Sequence, residues 1–302
     1  MSTMQLTLTG KRIGIFGKGG SGKSTLTILL ARELSQNGYE VCILDADSTN
    51  IGLSQALGYN QPPSPLLDHF GGMAFSGGLV TCPVDDPTPL SNAEIEIEEL
   101  PQKYYQQSAE GITLLTAGKI GNQGPGAGCD GPIAKIARDL RIHIQGKQPV
   151  TLIDFKAGFE DSARGAVTSL DWVIVVVDPT VAAVEMAANM KDMVEQIKAD
   201  VLPATAHLET DELVFWANKI FTESKIQEVF CILNQVQDPE VEEYLRAKLV
   251  QHGIEPIGAI YRDDAISLSW LKGLPIEKVR ANKVISNVIA KLEKFEKEGA
   301  LI

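Results

Sequence analysis

Arg12-Ile13-Gly14-Ile15-Phe16-Gly17-Lys18-Gly19-Gly20-Ser21-Gly22-Lys23-Ser24-Thr25-Leu26 is the stretch from which the fold is read. It begins as an apolar strand-like run, turns through four glycines and opens a helical pattern that continues to Asn37. Gly17 to Ser24 fits G-x-x-x-x-G-K-[S/T] without a mismatch. The chemistry behind that pattern is phosphate binding. Glycines let successive backbone N–H groups turn toward a β-phosphate, and the helix N-terminus adds the positive end of its dipole. Lys23 neutralises charge on the terminal phosphates, Ser24 offers a hydroxyl to Mg²⁺, and Thr25 is placed for the α-phosphate. A loop of this composition between strand and helix predicts ATP and Mg²⁺ as ligands.

Outward from the loop, apolar runs recur at Glu40–Leu44, Ile112–Thr116, Val150–Ile153, Trp172–Val177, Val229–Leu233 and Pro256–Ile260. They are apolar throughout rather than alternating, as strands of a parallel sheet buried on both faces must be. Helical patterns lie between them, among them Pro132–Ile144 and Val181–Asp200. The expectation is a doubly wound α/β fold, mostly parallel, with helices on both faces, in one domain over 1–302. Two stretches break the rhythm. Residues 58–111 are rich in Pro and Gly, then acidic, with seven Asp/Glu against one Lys from Asp85 to Glu110. A hairpin and a helix projecting from the sheet edge would account for them, with an acidic docking surface as the sharper reading. The other, 201–228, carries Leu213, Trp216 and Ile220 at helical spacing, which predicts a packed extra helix.

A net charge of -12 argues against general nucleic-acid binding, which needs clustered positive charge. No cysteines form a Cys-x-x-Cys pair, and Cys42 and Cys231 fall in apolar runs where an inert buried thiol is expected. The N-terminus has no basic segment followed by an apolar stretch, so a cytoplasmic, reducing location is expected. The tail from Arg280 to Glu298 mixes both charge signs around Val284, Val288 and Leu292, the pattern of a helix packed on the core rather than a membrane anchor.

Lys18, directly after the first glycine, adds a second signal. Gly-Lys-Gly-Gly-x-Gly-Lys-Ser resembles the deviant Walker A loop of the MinD, ParA and nitrogenase iron protein superfamily of P-loop ATPases. The resemblance implies a sandwich homodimer in which Lys18 reaches phosphates held by the other subunit. It also implies roles for three further segments. Asp45-Ala46-Asp47 resembles the first switch, with Asp47 positioning the attacking water and holding the metal's water shell; Ser48 stands where proline is usual. Asp154-Phe155-Lys156-Ala157-Gly158 resembles the second switch, with Asp154 on the metal side and the Gly158 amide sensing the γ-phosphate. Asn234, after the strand Cys231-Ile232-Leu233, is where the family reads adenine, and Tyr261-Arg262-Asp263 would flank the base.

The stretch Gly124-Pro125-Gly126-Ala127-Gly128-Cys129-Asp130-Gly131-Pro132 resembles the cluster-anchoring cysteine turn of the nitrogenase iron protein. That branch needs a second cysteine after the second switch, and Asp154 to Ala166 has none, so one thiolate per chain falls short of a four-iron cluster. Nearer is the resemblance to nickel-insertion ATPases of carbon monoxide dehydrogenase maturation, through Thr116-Ala117-Gly118-Lys119-Ile120 and Ala157-Gly158-Phe159-Glu160. Those carry a Cys-x-Cys pair for metal at the dimer interface; here Gly131 takes the second place. Two symmetry-related Cys129 thiolates would still make a site for a soft metal. The alternative is a free thiol at a helix start. The reading is an ATP-hydrolysing homodimeric switch serving a protein client, a metalloenzyme or cofactor enzyme. A MinD- or ParA-like positioning ATPase and an amide-forming ligase of the dethiobiotin or cobyrinic acid synthetase type are the alternatives.

Overall fold

The computed structural model describes residues 6–120, 128–277 and 279–299. Along them run β1 (Arg12–Gly17), α1 (Lys23–Gln36), β2 (Val41–Ala46), α2 (Leu53–Leu57) and α3 (Leu66–His69). Next come β3 (Glu94–Glu96), β4 (Tyr105–Gln107), β5 (Ile112–Thr116), α4 (Gly131–Asp139), β6 (Arg141–His143), β7 (Val150–Phe155) and α5 (Glu160–Ala163). The last third holds β8 (Trp172–Val177), α6 (Val181–Lys198), α7 (Asp211–Thr222), β9 (Glu228–Val236), α8 (Pro239–Gln251), β10 (Gly258–Tyr261), α9 (Asp264–Lys272) and α10 (Asn282–Gly299).

Eight strands form one sheet in the order β10-β9-β8-β1-β7-β2-β5-β4, parallel except for β4 at the edge. Side chains alternate across it. In β8, Val173, Val175 and Val177 enter one core, against α4 and α6, while Trp172, Ile174 and Val176 enter the other, against α1 and α10. Both faces are thus covered by helices, which is why the strands read as unbroken apolar runs. The carboxyl ends of β1, β2, β7, β9 and β10 open together, the crevice where doubly wound sheets take their ligands.

Three expectations need correcting. The stretch 58–111 does not project. Leu66, Leu67, Met73, Val80, Ile95, Ile97, Leu100 and Tyr104 are buried in the same core as β7 and β8, and its end supplies β4, hairpinned onto β5. The helical pattern over Pro132–Ile144 stops at Asp139. Leu140 turns extended (ψ 130°), and Arg141–His143 pairs in parallel with β3. The buried Arg12 guanidinium accounts for that end by donating to the carbonyls of Ala137 (2.8 Å) and Leu140 (2.7 Å), which the helix leaves unpaired. The helix at 213–220 forms as α7 but packs lightly. Only Ala217 is buried, and Phe215 faces solvent. The tail forms α10 and buries Ile285, Val288, Ile289 and Leu292. Among the described residues no helix is long and apolar enough to cross a membrane.

Candidate nucleotide-binding site

The loop between β1 and α1 is held in shape from outside. Asn234 Nδ2 donates to Ser21 O (2.7 Å) and Gln235 Nε2 to Gly20 O (2.6 Å), so the end of β9 clamps two loop carbonyls. Gly22 caps α1 at φ 95°, and a Cβ there would lie 2.1 Å from Asn234 Nδ2. No other residue fits. Lys23 is buried, and its ammonium donates only to Lys18 O (3.2 Å) among the described residues. The Lys18 ammonium has no hydrogen bond or ion pair there. Among the described residues no carboxylate is bonded to either ammonium, which leaves the Lys23 charge at the loop free for a polyphosphate.

Opposite Lys23 lies an acidic wall from the ends of β2 and β7, where Asp45 and Asp154 are direct partners in register. Asp154 is fully buried; its Oδ2 accepts from Ser24 Oγ at 2.5 Å while Oδ1 has no hydrogen-bond partner. Burial, reinforced by Asp45, pushes its carboxyl up to about 7, against the pull of Ser24 and Lys23. A buried carboxylate oxygen left unpaired beside a hydroxyl is a hard-oxygen donor set that Mg²⁺ fits. Asp45 is also pushed up, to about 6, by burial, with Lys119 opposing. Lys119 Nζ bonds both Asp45 Oδ2 (2.7 Å) and the Asp47 carbonyl (2.5 Å). The Asp47 carboxylate itself accepts from Thr49 N (2.9 Å) and Thr49 Oγ1 (2.7 Å).

A cavity of about 570 Å³ opens here; Lys23, Ser24, Asp47, Thr49 and Asn234 line it, while Lys18, Asp45, Lys119 and Asp154 stand behind its lining. Gly19, Gly20, Gly22, Lys23, Ser24, Thr25 and Asp47 form its phosphate end. Asn234, Tyr261, Arg262, Asp263 and Trp270 form the other, so all the residues expected around a base do gather there. Tyr261 Oη donates to Glu242 Oε2 (2.7 Å), and Asp263 caps α9 through Ala265 N (2.9 Å). Gly158 stands differently from expectation. Its amide donates to Gly17 O (3.2 Å), and Ala157 rather than Gly158 lines the cavity.

A family model described as the CobQ/CobB/MinD/ParA nucleotide binding domain matches residues 15–276. The chain belongs to this family. It is thus an ATP-binding P-loop ATPase of the MinD/ParA type. An uncharacterised ATP-binding protein of Methanocaldococcus jannaschii is 31% identical over 62% of this chain and 74% of its own length. The carbon monoxide dehydrogenase accessory protein CooC of Rhodospirillum rubrum is 30% identical over 62% of this chain and 70% of its own. Among solved structures, the MinC:MinD cell division complex of Aquifex aeolicus aligns with TM-score 0.60 at 20% identity, covering 94% of this chain and 96% of that one. MinD of Pyrococcus horikoshii complexed with Mg-ADP aligns with TM-score 0.56 at 17% identity, covering 94% and 96%. These last two carry the fold alone.

Set in this MinD/ParA-type ATPase, Cys129 stands apart from the nucleotide cavity. Its neighbours Gly124 to Ala127 lie outside the described residues. Cys129 Sγ accepts from Gly131 N (3.4 Å) at the start of α4. A second thiol comes in from the stretch 58–111: a Cβ on Gly131 would lie 2.6 Å from Cys82 Sγ, so only glycine lets the two sulfurs share that helix end. Among the described residues no group of three or more His, Cys, Asp or Glu is arranged for a metal. Cys42 and Cys231 are buried, with thiols pushed up by burial to about 12, inert as expected. Asp130 pairs with Lys156, which ties the Cys129 turn to the segment after β7.

Sequence reading missed Asn50, Cys82, Gln235 and Trp270, and saw Lys119 only as part of a motif. Asn50 Nδ2 donates to Ser24 Oγ (2.8 Å), and Trp270 Nε1 to Thr25 Oγ1 (2.8 Å). Nothing local marks these side chains. Their partners are 26 and 245 residues away.

Proposed function

We propose that this ATPase binds ATP with Mg²⁺, closes as a homodimer around the nucleotide, and spends the cycle on a protein client that is a metalloenzyme or cofactor enzyme. The unpaired, fully buried Asp154 Oδ1 beside Ser24 carries the metal part. Ser24 would ligate Mg²⁺ directly, and Asp154 and Asp47 would hold its water shell. Bound there, the cation would spread phosphate charge that develops during transfer.

The protein's own share is positioning. Lys23 neutralises the terminal phosphates, and Asp47, steadied through its backbone by Lys119, orients the attacking water. The Gly158 amide leaves Gly17 O for the γ-phosphate, so the segment after β7 moves with nucleotide state. The Lys18 ammonium, unpaired among the described residues, supports the dimer by having a charge to give to the neighbour's nucleotide. Loss of the γ-phosphate removes these contacts and lets the dimer open.

The client reading is supported by the similarity to CooC and by the thiols of Cys82 and Cys129, soft donors suited to a thiophilic metal. The Asp130–Lys156 pair gives nucleotide state a route to that turn. Sedimentation velocity with Mg²⁺ and a non-hydrolysable ATP analogue tests the closure. The wild type should run as a dimer only with nucleotide, and a monomer at saturating nucleotide would refute it.

A further inference from the structure

The Ser24 hydroxyl gives its proton to Asp154 and receives a hydrogen bond from Asn50 Nδ2 at 2.8 Å. A hydroxyl oxygen has two lone pairs; the Asn50 N–H takes one, and a cation on the other would face that donor hydrogen across the same oxygen. The other end of the same side chain, Oδ1, accepts from Gly52 N at 3.0 Å. Gly52 in turn lies flat against Trp270: a Cβ there would fall 2.8 Å from Cζ3 of the ring, although the backbone of Gly52 (φ -102°) is open to any residue. The indole N–H of Trp270 donates to Thr25 Oγ1, next to Ser24. Ser24, Asn50, Gly52, Trp270 and Thr25 therefore close a ring of contacts that joins the metal side of the cavity to its base side.

We propose that Asn50 is a positioning residue displaced by the metal, which holds the segment after β2 on Ser24 until Mg²⁺ arrives and passes its displacement through Gly52 to Trp270. The inference rests on the Mg²⁺ reading of Ser24 and Asp154. Asn50 acts through competition, since the positive end of its N–H and the cation would repel each other on one oxygen. Removing a competing hydrogen bond of ordinary strength should tighten the cation about fivefold. The coupling is reciprocal, so the cation should alter the surroundings of Trp270 even though the two do not touch.

Full-length protein labelled with 5-fluorotryptophan would be followed by ¹⁹F NMR, with Trp270→Phe assigning the resonance among the three tryptophans. ADP is added to saturation in EDTA, then Mg²⁺ is titrated. In the wild type the Trp270 resonance should move twice, with ADP and again with Mg²⁺. In Asn50→Ala the second movement should vanish while the first remains, and the Mn²⁺ half-saturation followed by EPR should drop about fivefold. Gly52→Ala should displace the resonance before any metal is added, by pushing the ring. Unchanged or weaker Mn²⁺ binding in Asn50→Ala would overturn the proposal, as would a second movement that persists there. Mn²⁺ binding followed by EPR separates the two levels. No Mn²⁺ bound by the wild type with ADP overturns the metal site itself, whereas bound Mn²⁺ with a silent Trp270 overturns only the link through Asn50.

Discussion

Lys119→Met should destabilise the protein by about 3 kcal/mol at pH 7.5 without nucleotide or metal, and most of that should disappear on acidification. The Lys119 ammonium bonds Asp45 Oδ2 and the Asp47 carbonyl, with side chains only 22% and 6% exposed for Lys119 and Asp45. Even with this partner, burial holds the Asp45 carboxyl up at about 6, above its ordinary value of 3.8. At about 1.4 kcal/mol per pKa unit, keeping Asp45 folded at pH 7.5 already costs about 3 kcal/mol. Without Lys119 the carboxyl would titrate above the assay pH and fold protonated, at a cost of about 5 kcal/mol. The difference is about 2 kcal/mol, and the orphaned Asp47 carbonyl adds about 1 kcal/mol. The direction with pH follows from the raised folded value. Protonation favours the folded state, so stability from Asp45 is fully present below about pH 4 and is lost as pH rises through the folded pKa. Below about pH 5 both proteins fold with Asp45 protonated, and only the carbonyl contribution should separate them. Urea unfolding followed by circular dichroism in EDTA from pH 5 to 8 measures this directly. Asp45→Asn added to Lys119→Met should recover about 5 kcal/mol at pH 7.5, the whole cost of protonating Asp45. A deficit that does not change with pH, or no recovery in the double variant, would refute the argument.

Lys23→Ala should abolish ATP binding or weaken it severely in equilibrium dialysis, because the buried counter-charge at the phosphate end is lost; near-wild-type affinity would remove the basis for the site. Asp47→Ala should accumulate as a dimer with Mg-ATP in sedimentation velocity, and adding Lys18→Ala should abolish that dimer while nucleotide still binds. Reduced protein should bind a soft metal such as Zn²⁺ through Cys129 and Cys82, with affinity falling on acidification as the thiolates protonate. Either serine substitution should remove it, and metal retained in Cys129→Ser would place the ligands elsewhere. Iron and sulfide reconstitution should give no stable cluster absorption near about 400 nm, and a stable four-iron cluster would restore the reductase branch.

The parts of the site that were legible in the sequence are those whose chemistry forces neighbours in the chain. A phosphate cradle needs successive amides, so Gly17 to Thr25 had to be contiguous, and the strand before it had to be apolar because helices cover both faces of the sheet. Asp47, Asp154, Asn234 and Tyr261 were legible for a related reason: each sits at the carboxyl end of a recognisable strand, and a parallel sheet brings those ends together. What escaped is whatever depends on which strand neighbours which. Asp45 and Asp154 share a register only because β7 lies beside β2, and there Asp45 adds to the burial that raises the Asp154 carboxyl. The end of α4 was misplaced for the same cause. Its apolar spacing runs on to Ile144, but Arg12 reaches from β1 to take the carbonyls of Ala137 and Leu140, and β3 then claims Arg141–His143. The glycines make the sharpest case. Gly22 could be explained from the sequence by the loop's backbone, and the structure adds the Asn234 amide as a second constraint. Gly52 and Gly131 need no unusual backbone at all. Each is a glycine because a distant side chain, Trp270 for one and Cys82 for the other, occupies the place of its Cβ. A gap in a local pattern, such as Gly131 where a second cysteine was expected, therefore marks where another part of the chain arrives.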